Sequence, residues 1–517
     1  MAAVPWTLSL MTFLCCGTHA HCLASSYVAA VYEHYVILNP EPRVPLSRRE
    51  ALQHMRQNVQ VYEQQAASAA YQGAQIVVFP EDGLQGFNFT RSSITPYLEE
   101  VPDPQQESWN PCVHPERHPN TEVQRWLSCM ARRHGLYVVA NMGSVQPCSS
   151  TGSSPGSSDS SSGSPGSSGS VPCPADGRWH FNTNVAYRSD GLLVARYHKQ
   201  NLYFEDAFDS PPRAELVTFH TPFAGTFGLI TCFDILFRQP TVALLEKGVR
   251  QLIFPTAWMN QLPLLDTIQF QRALSLGANV TLLAANIRSD ELLMSGSGIY
   301  SPSSAVYHHA QSGDPEEGRL IVASLSALEP LHDPLPTGLV PQGEQGDTSA
   351  GSCPAEGCSA PHTFTSSMMH DPFTFVLLRG AGGQLSVCDG SFCCWLQYQS
   401  THTNHTELYA LGAFAGLHTV NGRYSLQVCA LVKCAGTEER SCGQEVVQAD
   451  TKIDFVLKGT FSTRHVYPSV LSSHYTLEQP TRLHTTPRGS VTMEHSSMSG
   501  GLVTAALYGR MYHLDPH

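Results

Sequence analysis

Short apolar runs alternate with amphipathic stretches of helical period from about position 27 to about position 327. YVAAVYEH, beginning at Tyr27, has the texture of a buried strand. Ser47-Arg-Arg-Glu50 is a capping-box sequence, which predicts a helix opening there and running to about Gly73. QIVVFPE follows as a strand, a helix is expected over about 120–134, and LYVVAN reads as the next strand. FNTNVAYRSDGLLVARYHK reads as a hairpin turning at Ser189 to Gly191. Beyond it TFGLITC, QLIFPTAW and VTLLAAN are expected as strands, separated by helices over about 240–248 and 263–278. Repeated strand and helix units predict a layered α/β domain spanning 27–327.

After about Leu325 the pattern changes. A Pro- and Gly-rich stretch over 328–362 reads as a linker. The runs FTFVLL, CWLQYQ, ELYALGAF, YSLQVCALVK, KIDFVLKG and LVTAALYGRMY then lack helical periodicity, which predicts a mainly β domain over 363–517. Residues 149–170 are almost wholly Ser, Gly and Pro and cannot bury a core, so they read as a disordered surface insertion. The apolar stretch from Trp6 to Cys16, followed by small residues, has the length and shape of a secretory signal over 1–24.

Composition narrows the compartment and the partners. The formal charge of −13 and the lack of any basic block give no reason to expect nucleic acid as a partner. No later run is long enough to span a bilayer, and the polar C-terminus GRMYHLDPH argues against a lipid anchor, so no membrane anchor is expected. The sequons at Asn88, Asn279 and Asn404 are candidate glycan sites; Asn279, lying between a helix and an apolar strand, is expected to be buried and so the least readily modified. In an oxidising compartment cysteines pair. Of the 16 cysteines, loss of Cys15, Cys16 and Cys22 with the signal leaves 13. Cys112 with Cys129, Cys148 with Cys173 and Cys353 with Cys358 are expected pairs. Cys388, Cys393, Cys394, Cys429, Cys434 and Cys442 pair among themselves, and Cys232 is left over. Cleavage after Ala20 instead would keep Cys22 and remove that parity.

Three residues end apolar runs in the first domain: Glu81 after QIVVFP, Lys199 after LLVARYH and Cys232 after TFGLIT. Functional groups of α/β sheets converge at strand ends. Brought together, these side chains make a nucleophilic site: an ammonium favours the thiolate, and a carboxylate takes the thiol proton during attack. Lys199 and the backbone N–H of Phe233 would then face the oxyanion. Taken singly, each has a plainer reading, as a buried cysteine, a turn glutamate and a surface lysine. Trp258 and Met259 are candidates for a substrate pocket, Trp258 equally for the core. The 24 histidines show no metal-binding spacing, and no metal or cofactor is expected.

VVFPEDG, YHKQNLYFE and TCFDILF resemble, in order, the three motifs of the carbon-nitrogen hydrolase (nitrilase) superfamily, and FPTAWMNQLP resembles the segment after them. YALGAFAGLHTVNGRYSLQVCALVKC and SGGLVTAALYGRMY resemble the second domain of one vertebrate branch. The resemblance implies a four-layer αββα sandwich with a second, mainly β, disulfide-stapled domain. It also implies Glu81 as base, Lys199 as oxyanion-stabilising lysine, Cys232 as nucleophile and Glu205 as a glutamate orienting the lysine. The activity implied is that of a secreted thiol amidohydrolase acting on a small-molecule substrate, biotinyl-lysine or biotinyl-peptides. Pantetheine hydrolysis is the alternative, and a catalytically inactive secreted binding protein is the alternative of another class.

Overall fold

Alternation along the strand Ser26–Tyr35 sets the layering of the first domain. Ala30 and Tyr32 face Met55, Tyr62 and Leu127 on one side, while Ala29 and Val31 face Phe227, Ile253 and Leu283 on the other. The computed structural model describes residues 26–148, 172–329 and 362–516, apart from 403 and 405. The expected signal segment, the Ser-rich insertion, all but the ends of the linker and the Cys353–Cys358 pair lie outside the described residues.

The first sheet runs in spatial order Ile287–Arg288, Ser26–Tyr35, Ile76–Val78, Tyr137–Pro147, Arg178–Tyr187 and Leu193–His198; Arg319–Ser326 also pairs with Ser26–Tyr35. The second has the parallel strands Gly225–Leu229, Gln251–Pro255 and Thr281–Ala285 at its centre. The helices Arg48–Tyr71 and Glu122–His134 cover the outer face of the first sheet, and Thr267–Ala278 that of the second. This is the αββα order that the resemblance implies. The capping box at Ser47 is formed, with the Ser47 N–H donating to Glu50 Oε2 at 2.8 Å.

A seven-stranded and a five-stranded antiparallel sheet build the second domain, packed through Leu396, Leu431, Leu457 and Leu507. The larger sheet lies on the Thr267–Ala278 helix, where the Phe270 ring meets Tyr467 and Tyr508 at 5.9 and 5.5 Å. Close approach needs a glycine there: a Cβ on Gly277 would lie 2.5 Å from the Val466 carbonyl oxygen. Disulfides join Cys112–Cys129, Cys148–Cys173, Cys388–Cys393, Cys394–Cys429 and Cys434–Cys442, and Cys232 is the free cysteine among the described residues. The adjacent Cys393 and Cys394 thus serve two bridges.

Four expectations need correction. The strand read through TFGLITC stops at Leu229, and Cys232 opens a 3-10 turn, Cys232–Leu236. The helix expected over 240–248 is a π turn, Arg238–Val242, running into Ala243–Glu246, because Gln239, restricted by the proline after it, is extended at φ −101, ψ 123 and interrupts a regular ladder. The helix expected from 263 begins at Thr267, after its N-cap Asp266. Asn279 is exposed rather than buried: it ends that helix at φ +55, a left-handed conformation that Asn tolerates.

Candidate active site

Glu81 and Cys232 each lie three residues beyond a central parallel strand, so the sheet pair delivers both to one end of the sandwich. Cys232 is buried and sits at φ +43, a strained conformation for a residue with a Cβ. Asp234 holds the turn. Its carboxylate accepts the Thr231 N–H at 3.0 Å, the Tyr197 hydroxyl at 2.7 Å and both the backbone and side-chain N–H of Asn201, at 2.9 and 2.8 Å. Burial still pushes that carboxyl up to about 6. Phe233, second in the turn, carries one of the opening amides that helical geometry leaves without an internal partner.

The charged groups converge beside it. Lys199 Nζ donates to Glu81 Oε1 at 2.7 Å and to Glu205, and both Glu81 and Lys199 are buried. Asn182 Nδ2 bridges the two carboxylates, at 2.8 Å from Glu81 Oε1 and 2.8 Å from Glu205 Oε2. The Ala257 N–H donates to Glu81 Oε2 at 3.0 Å. Burial works against the Lys199 ammonium, but Glu205 and Glu81 outweigh it and hold the group well above its ordinary range. Asp82 is pushed up by burial and then by Glu81 and Glu205, which favours its neutral form. One ammonium between two carboxylates leaves the cluster short of positive charge. Accordingly, burial and the Glu81 carboxylate raise the Cys232 thiol well above its usual value, against the pull of Lys199, Thr256 and the Ala257 N–H. The resting site therefore favours a thiol, not the thiolate that the ammonium alone would favour.

A chain of buried amides ties the two strand ends together. Asn141 Oδ1 accepts the Asp82 N–H at 3.0 Å, and Asn141 Nδ2 donates to Asn182 Oδ1 at 2.6 Å and Asn184 Oδ1 at 2.9 Å. Asn184 Nδ2 reaches Thr231 Oγ1 at 2.8 Å. The second domain touches the same turn. Arg510, fully buried, donates through Nε to the Leu236 carbonyl at 2.9 Å, and Gly422 approaches Phe233 so closely that a Cβ would lie 2.8 Å from Cζ.

Glu81, Lys199, Cys232 and Glu205, picked out from the sequence, are thus brought together. Sequence reasoning missed Asn182, Asn184, Asp234 and Arg510. A signal existed for the asparagines: FNTN places two amides on one face of a strand whose flanks are apolar, positions that bury only with partners. Arg510 had none, since its partner carbonyl lies in the other domain. Trp258 lines a cavity and also anchors itself through its indole N–H to the Leu265 carbonyl at 2.9 Å. Among the described residues no three His, Cys, Asp or Glu side chains are grouped to hold a metal ion.

Two cavities meet at Cys232 and share Tyr203, Cys232, Ala257 and Met259. One is an open cleft lined by Glu81, Lys199, Glu205 and Phe204. The other runs between the domains past Trp258 and Leu265 to Val420, Asn421 and Tyr424.

The carbon-nitrogen hydrolase family profile matches residues 50–323, more than half the chain, and the vanin C-terminal domain profile matches 362–515. A biotinidase from Takifugu rubripes is 64% identical over 95% of this chain and 95% of its own. A pantetheinase from Mus musculus is 44% identical over 95% of this chain and 90% of its own. The crystal structure of an amidase from Nesterenkonia sp. is similar over 59% of this chain and 92% of its own, at 20% identity and a TM-score of 0.38. The chain belongs to the carbon-nitrogen hydrolase family, in the branch that holds biotinidases and pantetheinases, and is a hydrolase of amide carbon-nitrogen bonds.

Proposed function

We propose that the protein is a secreted amidohydrolase that cleaves biotinyl-lysine and biotinyl-peptides to release biotin through a thioester on Cys232. The observation that carries the mechanism is the buried, unpaired Cys232 on a strained turn beside the Lys199 pair with Glu81. Cys232 attacks the amide carbonyl as Glu81 takes its proton. Lys199 and the Phe233 N–H stabilise the oxyanion, each donor contributing on the order of 3 kcal/mol. Collapse breaks the C–N bond, and Glu81 hands the proton to the departing amine. Water, deprotonated by Glu81, then cleaves the thioester, and the proton returns to the sulfur. Glu205 and Asn182 position the lysine and the base.

Identity at 64% to the Takifugu rubripes biotinidase supports the biotinyl substrate. Pantetheine is the second reading, supported by the 44% identity to the Mus musculus pantetheinase across nearly the whole chain. Disulfides in both domains and the exposed sequon residues Asn88 and Asn279 support secretion. No helix among the described residues is long and apolar enough to cross a membrane.

Incubation of wild type and Cys232→Ala with biotinyl-lysine and with pantetheine tests both parts. Release of biotin by wild type, lost in C232A, is expected. Turnover that survives the substitution would sink the thioester, turnover of pantetheine alone would sink the substrate, and no turnover of either would favour a binding protein.

A further inference from the structure

The open cleft and the interdomain cavity offer an amide two ways to lie across Cys232, and proton transfer decides between them. The departing amine must collect its proton from Glu81. Glu81 and Lys199 line the open cleft and do not line the interdomain cavity. The amine half therefore extends into the cleft and the acyl half into the cavity. The second half-reaction asks for the same arrangement. After the amine leaves, water must reach the thioester beside Glu81 while the acyl group stays in place. Water that attacks beside Glu81 comes through the cleft that Glu81 lines, and an acyl group on the other side of Cys232 leaves that path free.

The lining gives the acyl group its chemistry. No Lys, Arg, Asp or Glu lines the interdomain cavity, and of its two histidines, His370 and His418, the second is already engaged by Asp371 and the Val420 carbonyl, so the cavity suits a group without net charge. Trp258, Leu265 and Tyr424 offer broad apolar surface, and the side-chain amides of Gln261 and Asn421 supply isolated hydrogen-bonding groups. That combination fits a neutral ring with a polar edge on an aliphatic chain. Its far wall is held from within the second domain: the His418 ring nitrogens lie 2.7 Å from Asp371 Oδ2 and 2.6 Å from the Val420 carbonyl, which fixes the turn that presents Val420 and Asn421.

We propose that the interdomain cavity is the acyl subsite and that the second domain, through Val420 and Asn421, selects the acyl half of the substrate, while the amine half lies in the open cleft. This rests on the thioester reading above.

Val420 is 37% exposed, so Val420→Trp fills the cavity from its rim without disturbing a core. V420W is compared with wild type on biotinamide, biotinyl-lysine and a biotinyl-peptide, which share the acyl half, and on Nε-acetyl-lysine, which keeps the amine and shortens the acyl half. V420W is expected to lower kcat/KM at least tenfold, through KM, on all three biotinyl amides and to leave the weaker acetyl-lysine rate within twofold. Iodoacetamide should label Cys232 at the wild-type rate, showing that the site is folded. Phe204→Ala, at the exposed mouth of the cleft, should instead reorder the three biotinyl amides among themselves. A V420W enzyme with unchanged KM for the biotinyl amides, or an acyl preference altered by F204A, would overturn the subsite while wild-type turnover still upholds the thioester reading. Should wild type act on pantetheine alone, the same comparison is run with pantothenoyl amides and read by the same outcomes. A wild-type enzyme that labels with iodoacetamide and hydrolyses neither substrate would overturn both.

Discussion

The two sides of Cys232 are built from opposite materials. On the first-domain side stand ionisable groups, Glu81, Lys199, Glu205 and Asp82, with polar atoms paired at hydrogen-bond distance through Asn182 and Ala257. On the second-domain side stand aromatic rings, a glycine, two histidines of which His418 is paired with Asp371, and one buried arginine, whose contact with the turn is to a backbone carbonyl. Charges packed in a dry site change the energy of charge developing nearby; apolar walls and a carbonyl tether change where things sit. Substitutions on the first side should therefore act on kcat, and those on the second mainly on KM and stability.

The largest effect is expected from Glu81→Gln. It keeps the shape and removes the proton acceptor, so kcat/KM for amide hydrolysis should fall by about 10²–10⁴. Alkylation should move the other way. The Glu81 carboxylate helps to hold the Cys232 thiol protonated, so its loss lowers the thiol pKa and raises the thiolate fraction at a given pH. In wild type the iodoacetamide rate should climb with pH through the neutral range into the alkaline one without a plateau near pH 8.5, about the ordinary thiol value. In E81Q the same rise should begin at lower pH. Equal losses of hydrolysis and alkylation would mean that Glu81 only supports the fold.

Asn182→Asp comes next. It replaces a donor shared by Glu81 and Glu205 with a third carboxylate. Loss of hydrogen bonds to charged groups costs on the order of 2 kcal/mol, so kcat should drop about 30-fold near pH 8. Burial among carboxylates raises the pKa of the new acid, so it becomes neutral as pH falls. The deficit should then shrink toward pH 6, and a deficit independent of pH would rule out this electrostatic account.

This contrast also divides what the sequence discloses. The groups proposed to do the chemistry are rare residue types at strand ends, so Glu81, Lys199 and Cys232 are legible from motif and order alone. The layered first domain is legible too, because period-2 strands and capped helices are local patterns. Asp234 hides inside TCFDILF as an ordinary acid, and its role emerges only when Tyr197 and Asn201 from another loop close on it. The strand misread through Cys232 has the same cause: apolar ITCF fits a strand by pattern, and the turn is imposed by that Asp234 clamp. Arg510 and Gly422 are not legible, since their meaning depends on how the two domains dock.

Arg510→Leu tests the tether. Arg510 also pairs with Asp515 at 2.7 Å and donates to the Ser425 carbonyl at 2.7 Å. Breaking a buried ion pair from one side costs about 3 kcal/mol, so the midpoint of chemical denaturation should shift clearly downward. If the tether serves position, kcat of the folded enzyme should fall no more than about tenfold (about 1.4 kcal/mol by transition-state arithmetic). A fall as deep as that of E81Q would erase the distinction between the two sides.

Gly422→Ala gives the smallest change and the finest test. At φ +146 and with a Cβ only 2.8 Å from Phe233 Cζ, alanine must push the ring aside or tilt its own turn, at a cost of about 1–2 kcal/mol. The Phe233 ring is in edge contact with Tyr203 at 5.0 Å and Phe237 at 4.9 Å, so a displaced ring disturbs the cavity wall first. The Phe233 amide, by contrast, is fixed by the turn that Asp234 clamps. KM for the biotinyl amides should therefore rise severalfold while kcat stays within twofold, and the pH profile should keep its shape. If kcat falls and KM does not, the second domain sets the oxyanion amide as well as the fit, and the division of labour across Cys232 fails at that residue.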